Sequence, residues 1–138
     1  MAAVSSAPHA TAAAATEGAK LMADFVFRMS GARLEVVKES ALKDARVADG
    51  RIEAKGAGGK FILIGESALA KQLGAIGAGL GNGGILIRTL PNALVMLGAD
   101  ARTPDDPWGS RHAVTTLLDE VLGCRYLWPG ETGLVVPW

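Results

Sequence analysis

The sequence predicts an α+β fold, an α/β sandwich in which a small mixed sheet carries two long helices and one short helix. Three observations predict it. Residues 11–29 and 110–122 repeat apolar side chains at helical spacing. Phe61-Ile62-Leu63-Ile64 is a uniformly apolar run bounded by Gly59 and Gly65, the pattern of a strand buried on both faces. Two further apolar runs, 85–90 and 93–98, are separated only by Pro91-Asn92, which suits a hairpin. Two amphipathic helices each need a sheet face to cover, so a layered arrangement is the simplest solution.

Taken in order, the Ala-rich opening MAAVSSAPHA reads as poorly ordered, and the alanines that follow as a frayed lead-in to the first helix. That helix carries Leu21, Phe25 and Met29 at four-residue steps, flanked by Met22 and Val26, and stops at Ser30-Gly31. Leu34 to Val37 reads as a short strand. Asp49-Gly50 marks a turn before Arg51 to Lys55, a candidate edge strand. After the buried 61–64 strand, Ser67 is placed to cap a short helix to Leu73. A glycine-rich loop leads into the hairpin. The polar, proline-rich stretch 100–109 is a loop, and Ser110 is the expected cap of the second long helix, whose apolar face is Val114, Leu117, Leu118, Val121 and Leu122. Gly123 stops it. Two short extended pieces, Arg125 to Trp128 and Leu134 to Val136, surround Pro129-Gly130, and the close on Pro137-Trp138 reads as a cut point in a longer polypeptide.

Composition excludes several classes. The chain has 138 residues, enough for one domain, and is 49% hydrophobic and 20% charged, which is unlike a disordered chain. Lys plus Arg and Asp plus Glu both number 14, so there is no basic excess for nucleic acid. No apolar run has the length of a membrane span, and the N-terminus lacks the charge and continuous apolar core of a signal peptide. The single cysteine, Cys124, allows neither an internal disulfide nor a cysteine metal site, and does not reveal the compartment.

Tests for chemistry give no catalytic, cofactor or metal residue. His112 lies on the second helix as His-Ala-Val-Thr-Thr, without the second ligand or the general base of a helical zinc site. Cys124 follows a helix C-terminus, where the dipole disfavours a thiolate. Gly79-Leu80-Gly81-Asn82-Gly83-Gly84 matches the spelling of a dinucleotide loop but follows a helix and opens a strand, the reverse of what binds a pyrophosphate. Asp105 and Asp106 adjoin Pro107 and read as a turn rather than a catalytic pair. Trp108, with Asp105, Asp106 and Arg102, could form a shallow sugar platform; packing of Trp108 at the helix start is the alternative. Arg125, Tyr126, Trp128 and Trp138 are candidates for a domain interface, where Arg and aromatic residues are enriched; for Tyr126 and Trp128 core packing is the equal alternative.

Four segments together resemble one family. AKLMADFVFRMSGARLEVV, FILIGES with ALAKQLG, GGILIRTLPNALVMLGAD and SRHAVTTLLDEVLGCRYLWPGETGLVVP are similar, in this order, to the N-terminal accessory domain of α-glucuronidases and related carbohydrate-active proteins, a domain that also precedes the barrel in β-N-acetylhexosaminidases. The last segment, with its Leu-Gly-Cys-Arg and Pro-Gly, is the most specific. The resemblance implies a zincin-like shape without the metal site, a supporting rather than catalytic role in polysaccharide degradation, and an adjacent (β/α)₈ barrel as partner. Family members open with an apolar strand before the first helix; MAAVSSAPHA matches it feebly, which implies a bare sheet edge. The rival expectation is a free-standing carbohydrate-binding module.

Overall fold

The computed structural model describes residues 2–5, 11–56, 59–100 and 108–138, and its fold is α+β. The element order is β1 (Ala2–Ser5), α1 (Thr11–Ser30), β2 (Glu35–Lys38), β3 (Arg46–Ala48), β4 (Arg51–Glu53), β5 (Phe61–Ile64), α2 (Ala68–Gln72), β6 (Ile85–Leu90), β7 (Ala93–Gly98), α3 (Gly109–Thr116), β8 (Arg125–Tyr126) and β9 (Leu134–Val135). The main sheet runs β2-β1-β5-β7-β6. Its first four strands are parallel, and β6 closes one side antiparallel to β7.

Alternation along β5 and β7 sorts the core into two layers. Ile62, Ile64 and Met96 face α1 and α3, where they meet Ala19, Met22, Phe25, Val114 and Leu118. Phe61, Leu63, Val95 and Leu97 face the other way, onto Leu69 and Ala70 of α2, Leu73 just beyond it, and Ile52 of the small β3–β4 hairpin. All four residues of β5 are buried, as its sequence predicts. The two long helices pack on the sheet as expected; both lie on one face, and the second face is covered by a five-residue helix and a hairpin.

Packing explains that asymmetry. The alanines before the α1 stripe are not a frayed lead-in: Ala14, Ala15 and Ala19 are buried. A Cβ added at Gly18 would sit 3.2 Å from Ile64 and 3.3 Å from Val114, so small residues let α1 approach α3 and the sheet together. The opening of the chain is also corrected. Residues 2–5, expected to be poorly ordered, pair with β2 on one side and β5 on the other. The bare edge implied by the weak opening therefore does not exist. Ala-Ala-Val-Ser has little strand propensity of its own; the ladders on both sides supply what the side chains do not.

Turn chemistry follows the sequence more closely. Asp49 and Gly50 both adopt positive φ (51° and 69°), as a two-residue turn of the first primed type requires, and they join β3 to β4. That pair forms its own two-stranded sheet rather than an edge of the main one. Asn92 does more than turn the β6–β7 hairpin. Its side-chain amide donates to the carbonyls of Ile52 (2.8 Å) and Gly59 (3.1 Å), and its oxygen accepts from Ile52 N–H (2.9 Å). This buried side chain stands in for a strand and pins the small hairpin to the sheet. Ser67 caps α2 as predicted, accepting from Ala70 N–H at 3.0 Å, and the Glu39 carboxylate accepts from Ala68 and Leu69 N–H as a second cap.

The start of α3 differs from expectation. Trp108, not Ser110, occupies the cap position; Ser110 lies inside the helix, buried, and donates its hydroxyl and its backbone N–H to Asp100. A buried carboxylate at a helix N-terminus is favoured by the dipole and satisfies a donor that the helix cannot. The same junction requires Gly98 and Gly109: a Cβ on Gly98 would fall 2.2 Å from the Gly109 carbonyl carbon.

Candidate functional site

The C-terminal end of α3 and the ribbon beyond it form the candidate site. Residues 117–121 continue α3 as one π-turn, with Leu122 N–H bonded to Leu117 C=O. A π-turn is wider than an α-turn, so the face shifts by a residue within it. Of the predicted apolar face, Val121 is instead 69% exposed, while Leu122 packs against the core as expected. Gly123 then takes a positive φ of 74°, and Cys124 N–H bonds back to Leu118 C=O, closing the helix as the glycine stop predicts.

That closure turns the Cys124 side chain inward beneath the ribbon formed by β8 and β9. Its sulfur lies 3.8 Å from the Met29 sulfur. Burial, and second the negative charge of Asp119, push its thiol up from the ordinary value, so it sits in the core as a neutral group. On the outer side, Arg28 of α1 donates to Asp24 at 2.8 Å and to Glu131 at 3.1 Å, tying the turn at 131–133 to the helix. The Glu131 hydrogen bond and then the charge of Asp24 raise the already high Arg28 value, so the guanidinium stays charged.

The ribbon presents its large side chains to solvent. Tyr126 is 67% exposed, with its ring tilted against Phe25 at a centroid distance of 6.2 Å. Leu127, Trp128, Val135 and Trp138 are also exposed, and the Trp128 indole N–H reaches the Thr132 hydroxyl at 3.2 Å. Core packing, the alternative for Tyr126 and Trp128, does not describe them. Arg125 is exposed and paired with Asp119. Between α1, the π-turn and the ribbon runs a half-open groove of about 450 Å³, floored by Leu21, Phe25, Leu118 and Cys124. Of the four residues proposed from sequence as an interface, Arg125 and Tyr126 line this groove, Trp128 lies in the turn between β8 and β9, and Trp138 is fully exposed beyond β9. The sequence does not reveal the groove, because its floor joins Leu21 and Phe25 of α1 to Leu118 and Cys124 about a hundred residues on, and its rim is a turn whose width no periodicity reveals.

The sugar platform fares differently. Trp108 is 40% exposed at the head of α3. Arg102, Asp105 and Asp106 lie outside the described residues. Among the described residues, no group of three or more His, Cys, Asp or Glu side chains is placed to hold a metal ion, and no helix is long and apolar enough to cross a membrane. The glycine-rich segment follows α2 and opens β6, the order that argued against a pyrophosphate loop.

Comparison with known protein families, with characterised proteins and with solved structures gives no match to this chain.

Proposed function

We propose that this chain is a non-catalytic accessory domain of a glycoside hydrolase-like, α-glucuronidase-like protein, and that it supports an adjacent catalytic barrel in polysaccharide degradation by docking through its C-terminal ribbon. The observation that carries the docking is the exposed apolar series Val121, Tyr126, Leu127, Trp128, Val135 and Trp138. A patch of aromatic and branched residues with Arg at its side is the composition of an interface core rather than of an ordinary surface. The carbohydrate half of the reading rests on the four segments that resemble the family. In this fold the Gly-x-Asp that ends β7 gives the close approach to α3 and the carboxylate that accepts from Ser110, and Leu-Gly-Cys-Arg gives the helix stop, the buried thiol and the partner of Asp119.

The test compares this domain alone with the longer polypeptide that the reading requires. Amides of residues 121–136 are expected to exchange more slowly in the longer protein, and tryptophan emission to shift to the blue. Unchanged exchange would remove the docking role. A gene that encodes no (β/α)₈ barrel with paired carboxylates beside this domain would remove the glycosidase assignment.

A second reading, a carbohydrate-binding module centred on Trp108, has its half-exposed indole in its favour. It expects xylan or chitin oligosaccharides to quench fluorescence, with the response abolished by Trp108→Ala.

A further inference from the structure

The groove beside the ribbon has a chemistry that narrows what can fill it. Its floor is apolar and uncharged, since the Cys124 thiol is held neutral by burial among Leu21, Phe25 and Leu118. Its volume of about 450 Å³ lies within the range that takes a compact ligand or an inserted side chain with its flanking backbone. Its rim is asymmetric. On the ribbon side stand Tyr126 and Leu127; on the helix side stand the two carboxylates of the π-turn. Asp119 is already neutralised by Arg125. Glu120, the next residue, is exposed and makes no ion pair among the described residues. An apolar slot with one uncompensated carboxylate on its lip is complementary to an apolar anchor that carries a cation beside it. The π-turn is the second sign of a built site. It keeps Leu117 and Leu118 in the core while Asp119 and Glu120 line the groove, and π-turns concentrate where function needs an irregular helix.

We propose that this groove receives an aromatic or branched apolar side chain of the docking partner, with an adjacent Arg or Lys of that partner meeting Glu120. The inference rests on the docking reading above and names what the partner must present.

The test uses the intact domain and three probes: N-acetyl-Trp-Arg-amide, N-acetyl-Trp-Glu-amide and xylotriose. In NMR titrations the Arg peptide is expected to shift the amides of Leu21, Thr116 and Tyr126 and to bind about threefold more tightly than the Glu peptide, the size of effect one exposed ion pair gives. It should also slow alkylation of Cys124, which is the chain's single thiol and therefore an unambiguous reporter. Glu120→Lys, a change at an exposed position, should reverse the ranking of the two peptides. The proposal is overturned if neither peptide moves those amides, if the ranking ignores Glu120, or if xylotriose moves them and the peptides do not. Its failure is separable from that of the docking reading. In the longer polypeptide, slow exchange at Trp128 and Val135 with Cys124 alkylated as fast as in the isolated domain leaves docking intact and sinks the anchor; fast exchange at Trp128 and Val135 sinks docking itself.

Discussion

The β5–β7 pair and the β8–β9 ribbon are written in the same alphabet of large apolar residues, yet every β5 side chain is buried and most of the ribbon's face solvent. The difference lies in what covers them. β5 and β7 have α1 and α3 on one face and α2 with the β3–β4 hairpin on the other. The ribbon has two residues on each strand, and of these Leu134 packs on the α1–α3 core while Arg125, Tyr126 and Val135 stay exposed. Full burial of a Leu or Ile stabilises by about 1.5–3 kcal/mol, and an exposed one contributes little of that. Apolar character alone therefore marks a segment that wants cover, and the fold decides whether the cover comes from within.

Mutations can break or sharpen this contrast. Leu63→Ala in β5 is expected to cost about 2–5 kcal/mol by denaturant unfolding, because a cavity opens between two packed layers. A loss under 1 kcal/mol would mean that the sheet interior is no better packed than the ribbon. Asn92→Ala removes three hydrogen bonds at a buried position and leaves Ile52 N–H and C=O without partners, at about 1–3 kcal/mol. Faster amide exchange should be confined to β3 and β4 when it is measured in this variant. Cys124 tests the boundary between the regions. Its folded-state value is raised, so the fold favours the thiol; that contribution is complete below the ordinary thiol range and is lost as pH rises through the folded value. The pH–rate profile for alkylation should therefore turn upward at higher pH in native protein than in denatured protein. Coincident profiles would place the thiol in solvent. Smallest of all, Trp128→Ala should change the stability of the isolated domain by no more than about 0.5 kcal/mol. A larger loss would make the ribbon part of the core.

The parts of this fold that could be read in advance are those decided locally. The 61–64 strand, the hairpin at Pro91-Asn92, the Ser67 cap and the Gly123 stop all follow from residue type and spacing. The parts that could not be read are decided by neighbours distant in sequence. Ala2–Ser5 is a strand because β2 and β5 offer ladders on both sides. Ala14, Ala15 and Gly18 pack tightly because α3 crosses there. Val121 turns outward because one turn of helix widens, and apolar periodicity assumes that it does not. At the candidate site, Arg125, Tyr126, Trp128 and Trp138 stand out in the sequence by residue type as interface candidates. Their exposure does not, and Glu120 draws no notice because a single acidic residue on a helix carries no pattern.

The position of β1 has a consequence for how the sheet assembles. This strand sits between partners that emerge from the ribosome about thirty and sixty residues after it, at Glu35–Lys38 and Phe61–Ile64. Its ladders are parallel and depend on closing long loops, an ordering step that is slow and entropically costly. Until β5 has left the ribosome, Ala2–Ser5 can zip to at most one neighbour. The seam at β1 lies one strand in from the β2 edge, and deletion of residues 2–5 would part β2 from the rest of the sheet.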